Sequence, residues 1–331
     1  MTSIACKKLK IVNILLCKSL FNNDIIKVIL HHYWNIIDGK HKVLLSWIDK
    51  DKLNWANLSK NINAIDFLKE NKDKINWCVL SGNPSAISLL NENMDKIDWF
   101  QLRCNKNSGS ILRKNTHRLK KDDWYYLSSH SKDINLLKEN IDKLNWYLLS
   151  KNVNAMELLY NNLEKIDWNK LSMNENAIDL LRKNKDKINW VYCSKNINAI
   201  DLLKTQIEIN KTKNVIDLTD NVNWYFLSEN INAEDIWREN LHKIDWHVLS
   251  KNINAISLLR ENKDKIEWCL LSKNKNAISL LRENKDKIDF DFLSENVNAI
   301  ELLRENKDKI NWYNFSKNPS IFCNESMPDM L

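Results

Sequence analysis

Apolar and polar positions alternate along the chain in a fixed phrase. It reads [DN]-W-x-x-L-S-x-N-x-N-A-I-x-L-L-x-x-N-x-D-K-I and returns every 22 residues. The aromatic at its head is Trp55, Trp77, Trp99, Trp124, Trp146, Trp168, Trp190, Trp224, Trp246, Trp268, Phe290 and Trp312, with 25 residues after Trp99 and 34 after Trp190. Twelve units therefore fill the chain from residue 55 onward, a periodicity that marks a repeat architecture.

Within a unit, Trp246 and Leu249 are three residues apart and share one helical face, which predicts a short first helix. Asp245 before the tryptophan is its expected N-cap, as are Asn76, Asp98, Asp167 and Asn311 elsewhere. In "NAISLL", Ala255, Ile256, Leu258 and Leu259 are apolar at spacings of three and four, which predicts a second amphipathic helix capped by Asn254. Asn262 follows that helix, as do Asn71, Asn93, Asn140, Asn184, Asn240, Asn284 and Asn306; a left-handed residue is expected there. Helices of two turns do not hold alone, so stability must come from stacking. The expected fold is all-α: an extended α-solenoid, right- or left-handed, of about twelve two-helix repeats with the indoles wedged between them as its structural core. A leucine-rich repeat shares the length but requires an L-x-L strand, where this chain has L-S-x-N.

Three segments depart from the phrase. Residues 1–54 read as an N-terminal helical cap, 55–322 as the solenoid, and 323–331 as a tail. Insertions fall near 120–122 and at 205–222. Gly109 stands in an isoleucine slot near the first, where loosening or a kink is expected, and the second predicts a projecting hairpin or a longer helix. "LFNNDIIKVIL" at 20–30 resembles the opening of an F-box, which implies a substrate adaptor of a ubiquitin ligase. It lacks the usual proline after the first leucine.

Composition narrows the chemistry. The chain holds only three glycines, and Gly39, Gly82 and Gly109 stand far apart, which leaves no phosphate loop or dinucleotide fingerprint. Seven scattered cysteines form no CxxC pair and the seven histidines no ligand set, so neither a disulfide framework, a metal site nor a cofactor is expected. No run approaches a membrane span. The recurring Asp-Lys pair is a solvated charged turn rather than an acid/base couple, and no enzyme is expected.

Two rows carry the binding readings. Arg182, Arg238, Arg260, Arg282 and Arg304 lie fourteen residues after their aromatics and would align into a basic ridge beside a row of carboxylates. Joined to Phe100, Tyr125, Tyr126, Tyr147, Tyr192, Tyr225, Phe226, Phe292 and Tyr313, that ridge would suit a nucleic-acid scaffold; left to its own carboxylates, it is an ion-paired surface. Protein recognition would instead fall to variable slots such as Lys60, Ile62, Gly82, Pro84, Met173, Glu175, Glu229 and Ile231.

The W-xx-LS and NAI-x-LL segments over about 55–322, with the closing "NPSIF", resemble an uncharacterised repeat family of giant nucleocytoplasmic large DNA viruses, mimivirus- and phycodnavirus-like. That resemblance implies a viral protein at work inside the host cell, in its cytoplasm, and assigns no activity. The expected function is a non-catalytic scaffold for protein–protein interaction with a host or viral partner.

Overall fold

The computed structural model describes residues 42–213 and 222–324. The F-box-like stretch, most of the expected cap, residues 214–221 of the second insertion and residues 325–331 lie outside the described residues.

Most units are a pair of short α-helices followed by a single 3₁₀ turn; the unit at Trp224 has the helix pair without that turn. The unit at Trp246 is representative, with helices Trp246–Ser250 and Ile256–Glu261 and the turn Lys263–Lys265. The expected N-caps of the first helices hold. Asp245 accepts from the Val248 N–H at 2.9 Å, and Asn76, Asp98, Asp167 and Asn311 do the same in their units.

The two other asparagine assignments are corrected. Asn262 sits at φ −131°, ψ 55°, outside the left-handed region, and ends its helix by donating Nδ2 to the Leu258 carbonyl at 2.9 Å. Asn71, Asn93, Asn140, Asn184, Asn240, Asn284 and Asn306 repeat that bond. The side chain thus satisfies an orphan carbonyl that a left-handed residue would otherwise reach through its backbone. Asn254 caps nothing in its own unit, where Ala255 is the N-cap residue without a side-chain bond, and instead donates Nδ2 to Ile231 O of the preceding unit.

Stacking rests on a buried polar ladder as much as on apolar contact. Asn83 Nδ2 donates to the carbonyls of Ser59 and Asn61, each at 3.0 Å, while Ser59 Oγ donates to Trp55 O and accepts from Asn76 N–H. Around it, Leu58, Ala64 and Leu68 are fully enclosed, each such leucine contributing about 1.5–3 kcal/mol. The indoles are less enclosed than the wedge expectation requires. Only Trp124 and Trp190 of the row are buried; the others are half-buried, packed against the leucine core. Several of them carry an ammonium on one face from the end of the same unit, as with Lys74 over Trp55 at 4.7 Å and Lys187 over Trp168 at 4.7 Å.

The solenoid is not extended; it closes on itself. Asn61 Nδ2 donates to Ser316 O and Asn318 O at 3.2 and 2.9 Å, and Asn54 N–H donates to Ser316 Oγ at 2.8 Å, so the first unit stacks on the last with the same bonds that join interior neighbours. The described part of the expected cap, residues 42–54, forms a short strand and a 3₁₀ turn and joins the last unit. Strand β1 (Lys42–Leu44) pairs antiparallel with β2 (Phe322–Asn324), with Lys42 opposite Asn324. Leu45 N–H then bonds Ile321 O at 3.0 Å, as Leu68 N–H bonds Ala64 O inside a regular unit. The 3₁₀ turn Lys50–Lys52 follows, with Lys52 Nζ 5.3 Å from the Trp312 ring centre. The twelfth unit is therefore composite: residues 312–324 supply its first helix, ladder asparagine and one strand, and residues 42–54 supply the rest.

Neighbouring first helices approach closely backbone to backbone, whereas the backbones of neighbouring second helices keep further apart. In a closed stack the more tightly spaced row is the inner one, so first helices form the inner circle and second helices the outer. At the usual 8–10 Å between packed helix axes, twelve steps give an inner circle about 31–38 Å across and an opening of roughly 20–27 Å once one helix diameter is subtracted.

Eleven junctions carry the serine bridge and the asparagine ladder; the one between the units at Trp99 and Trp124 carries neither. Arg103 stands in the serine slot and pairs with Asp123, and Arg113 pairs with Asp133. A Cβ on Gly109 would meet Asp133 at 2.5 Å, which explains the glycine: it makes room for that carboxylate. Burial opposes ionisation of Asp133, but the bonds from Arg113 and the Leu136 N–H prevail and hold it below the usual carboxylate range. The first insertion adds residues to the start of the helix Lys121–His130, and the second lengthens Ile200–Lys213, so both extend helices in the part described.

Candidate functional site

The five ridge arginines lie on or at the ends of second helices, hence on the outer circle, and each has a carboxylate within reach. Arg238, Arg260 and Arg282 bridge to Glu261, Glu283 and Glu305 of the following unit at 3.1, 2.6 and 2.8 Å. Arg182 lies 3.6 Å from Asp179 and 3.7 Å from Asp201, and Arg304 lies 3.9 Å from Glu301. Hydrogen bonds donated to these carboxylates raise the pKa of Arg238, Arg260 and Arg282. The ridge is a belt of ion pairs within and between repeats, screened by salt and individually weak.

The aromatics named with that ridge sit elsewhere. Phe100, Tyr147 and Tyr313 project from first helices, about half or more exposed, and the structure does not bring them to the arginine row. Their faces are instead taken by nearby cations. Arg103 lies between Phe100 and Tyr126, at 3.8 and 4.2 Å from the ring centres, and Lys170 between Tyr147 and Tyr192 at 4.9 and 4.7 Å. The hydrogen bond with Tyr147 raises the Lys170 pKa, against the opposing effect of burial. Around Arg103 the surface dips into a depression of about 630 Å³ that also takes in Trp99, Arg118 and Tyr125.

The variable slots do converge. Met173, Glu175, Glu229 and Ile231 line one depression of about 540 Å³ together with Lys195, Ile197, Val248, Lys251 and Ile253, so four successive units share it. Sequence reasoning named four of the eleven residues that line it and missed Lys195 and Lys251. Five residues after each aromatic, the inner row reads Lys60, Gly82, Cys104, Ser129, Lys151, Met173, Lys195, Glu229, Lys251, Lys273, Glu295 and Lys317, with six lysines against two glutamates. Glu229 is held between Lys195 and Lys251 at 3.6 and 3.1 Å. Glu295 is held between Lys273 and Lys317; burial works against its charge, but the two ammoniums keep its carboxyl below the usual range.

Nothing else in the described residues gathers reactive groups. No three of His, Cys, Asp or Glu are placed to hold a metal ion among them, and no helix there is long and apolar enough to cross a membrane. Burial pushes the Cys193 thiol up to about 12, which makes it an unreactive core residue. No family model matches the chain, and no match was found among curated proteins or solved structures.

Proposed function

We propose that the protein is a non-catalytic ring scaffold whose inner wall grips a protein partner. The observation that carries this reading is the depression shared by four units, because nine of its eleven lining residues come from slots that vary between repeats, while the ladder asparagines Asn230 and Asn252 beside them stay constant. A surface of that kind can be changed without disturbing the fold, as repeat scaffolds require. Its apolar floor of Ile197, Ile231 and Ile253 with charged flanks has the composition of an interface centre and rim. The resemblance to repeat proteins of giant DNA viruses makes a viral protein with a host or viral partner, in the host cytoplasm, the natural setting.

Affinity capture from infected cells with three baits tests this. The parent and an outer variant (Arg260→Glu, Arg282→Glu, Arg304→Glu) should retain the same partner, and an inner variant (Ile197→Asp, Ile253→Asp) should lose it about ten-fold or more. Loss with the outer variant alone, accompanied by salt-sensitive retardation of RNA or DNA, would replace this reading with a nucleic-acid scaffold.

A further inference from the structure

The inner row repeats one motif with a gap in it. A glutamate sits between two lysines twice, at Lys195–Glu229–Lys251 and at Lys273–Glu295–Lys317. Each triad keeps one surplus positive charge, and each ammonium has three donors, of which its glutamate uses one; Lys317 gives a second to Asn314 at 3.2 Å and still has one left. Where the triads meet, Lys251 stands next to Lys273 with no carboxylate of the row between them; ring closure likewise puts Lys317 next to Lys60. The protein therefore demonstrates on itself what an ammonium pair in this row accepts, and leaves two junctions with no glutamate between the ammoniums, although Lys251, Lys273 and Lys317 each already pair with a glutamate on their other side.

We infer that the inner wall binds an acidic polypeptide segment, its carboxylates seated between Lys251 and Lys273 and between Lys317 and Lys60, its apolar side chains in the isoleucine-floored depression. This rests on the inner-wall reading above and adds the chemistry of the partner. Charge complementarity selects an acidic chain, and the opening of roughly 20–27 Å admits either an extended segment or one helix about 10–12 Å wide. A nucleic-acid strand fits less well. Glu229 and Glu295 would oppose its phosphates, and the faces of Phe100, Tyr126, Tyr147 and Tyr192 on which bases would stack are already occupied by cations.

The test is fluorescence anisotropy with the full chain and three labelled probes of equal length: a Glu/Leu peptide, a Gln/Leu peptide and oligo-dT. The Glu/Leu peptide should bind, weaken about ten-fold or more with Lys251→Glu plus Lys273→Glu, and tighten with Glu229→Gln, which releases Lys195 and Lys251. Thermal melts establish that each variant is folded. Equal binding of the Gln/Leu peptide would overturn the acidic partner while leaving the inner wall as a protein-binding surface. Preference for oligo-dT, no binding of any probe, or binding that ignores both variants would overturn the inference.

Discussion

A circular permutant of residues 42–324, with Asn324 joined to Lys42 by a two-residue turn and new ends between Asp264 and Lys265, should melt within a few degrees of the same span in its natural order. Removing residues 42–54 from that span should unfold it or lower its melting temperature by tens of degrees. Both outcomes follow from the composite unit. Lys42 and Asn324 are antiparallel partners, so a hairpin turn is all that their connection needs. The new ends fall in an exposed 3₁₀ turn whose side chains are not buried. Residues 42–54, by contrast, supply Leu45, Ile48 and Leu53, which are 1%, 7% and 5% exposed. At about 1.5–3 kcal/mol each, their loss removes roughly 5–9 kcal/mol, comparable with the whole stability of an ordinary domain. It also uncovers Ile321 and Phe322, and breaks the bond from Asn54 to Ser316. Circular dichroism melts of the three proteins decide the matter. A truncation that melts like the parent would mean that the ends are not joined.

The second large effect is expected from Asn174→Ala, at about 2–4 kcal/mol of destabilisation in urea titrations. Asn174 is fully buried; it donates to Ser150 O at 3.0 Å and Asn152 O at 3.2 Å and accepts from Asn176 N–H at 3.0 Å. Alanine leaves two carbonyls and one N–H without this partner at a buried junction, where an unmade bond costs more than a bond is worth on average. Asn176→Ala is the control, because that side chain makes one exposed bond, to Val153 O at 2.9 Å, and its loss should cost about 1 kcal/mol or less. Asn174→Asp should be at least as harmful as the alanine change, since it aims a carboxylate at two carbonyl oxygens. Equal costs for Asn174→Ala and Asn176→Ala would remove the ladder from the account of stacking.

Period, helix pairing and first-helix caps were legible because each depends on neighbours within one unit, as Asp245 and Val248 do. Closure was not. The segment 42–54 has no indole in the expected register, and it carries one residue more between Leu45 and Leu53 than a regular unit has between Leu68 and Ile75, which hides its kinship to the repeat. The asparagines were misassigned for a different reason. A left-handed C-cap and a side chain that donates backward both favour Asn, and only coordinates separate them, as at Asn262. Asn254 looked like a cap because its partner, Ile231 O, lies 23 residues away in the preceding unit. The variable slots of the candidate site could be read from their contrast with the constant ones. The lysine row could not, because which helix faces the opening depends on the spacing of stacked helices, and the outer arginines make the more regular pattern on paper.

Ring closure is tested most directly by pulsed electron–electron resonance on two spin-label pairs, in a background whose exposed cysteines are replaced by serine. One pair, at Lys251 and Lys273, reports two neighbours in the middle of the stack; the other, at Lys60 and Lys317, reports the first unit against the last. The closed ring predicts the same short distance distribution for both pairs. A long or broad distribution for Lys60 and Lys317, beside a short one for Lys251 and Lys273, would show an open spiral and contradict the account.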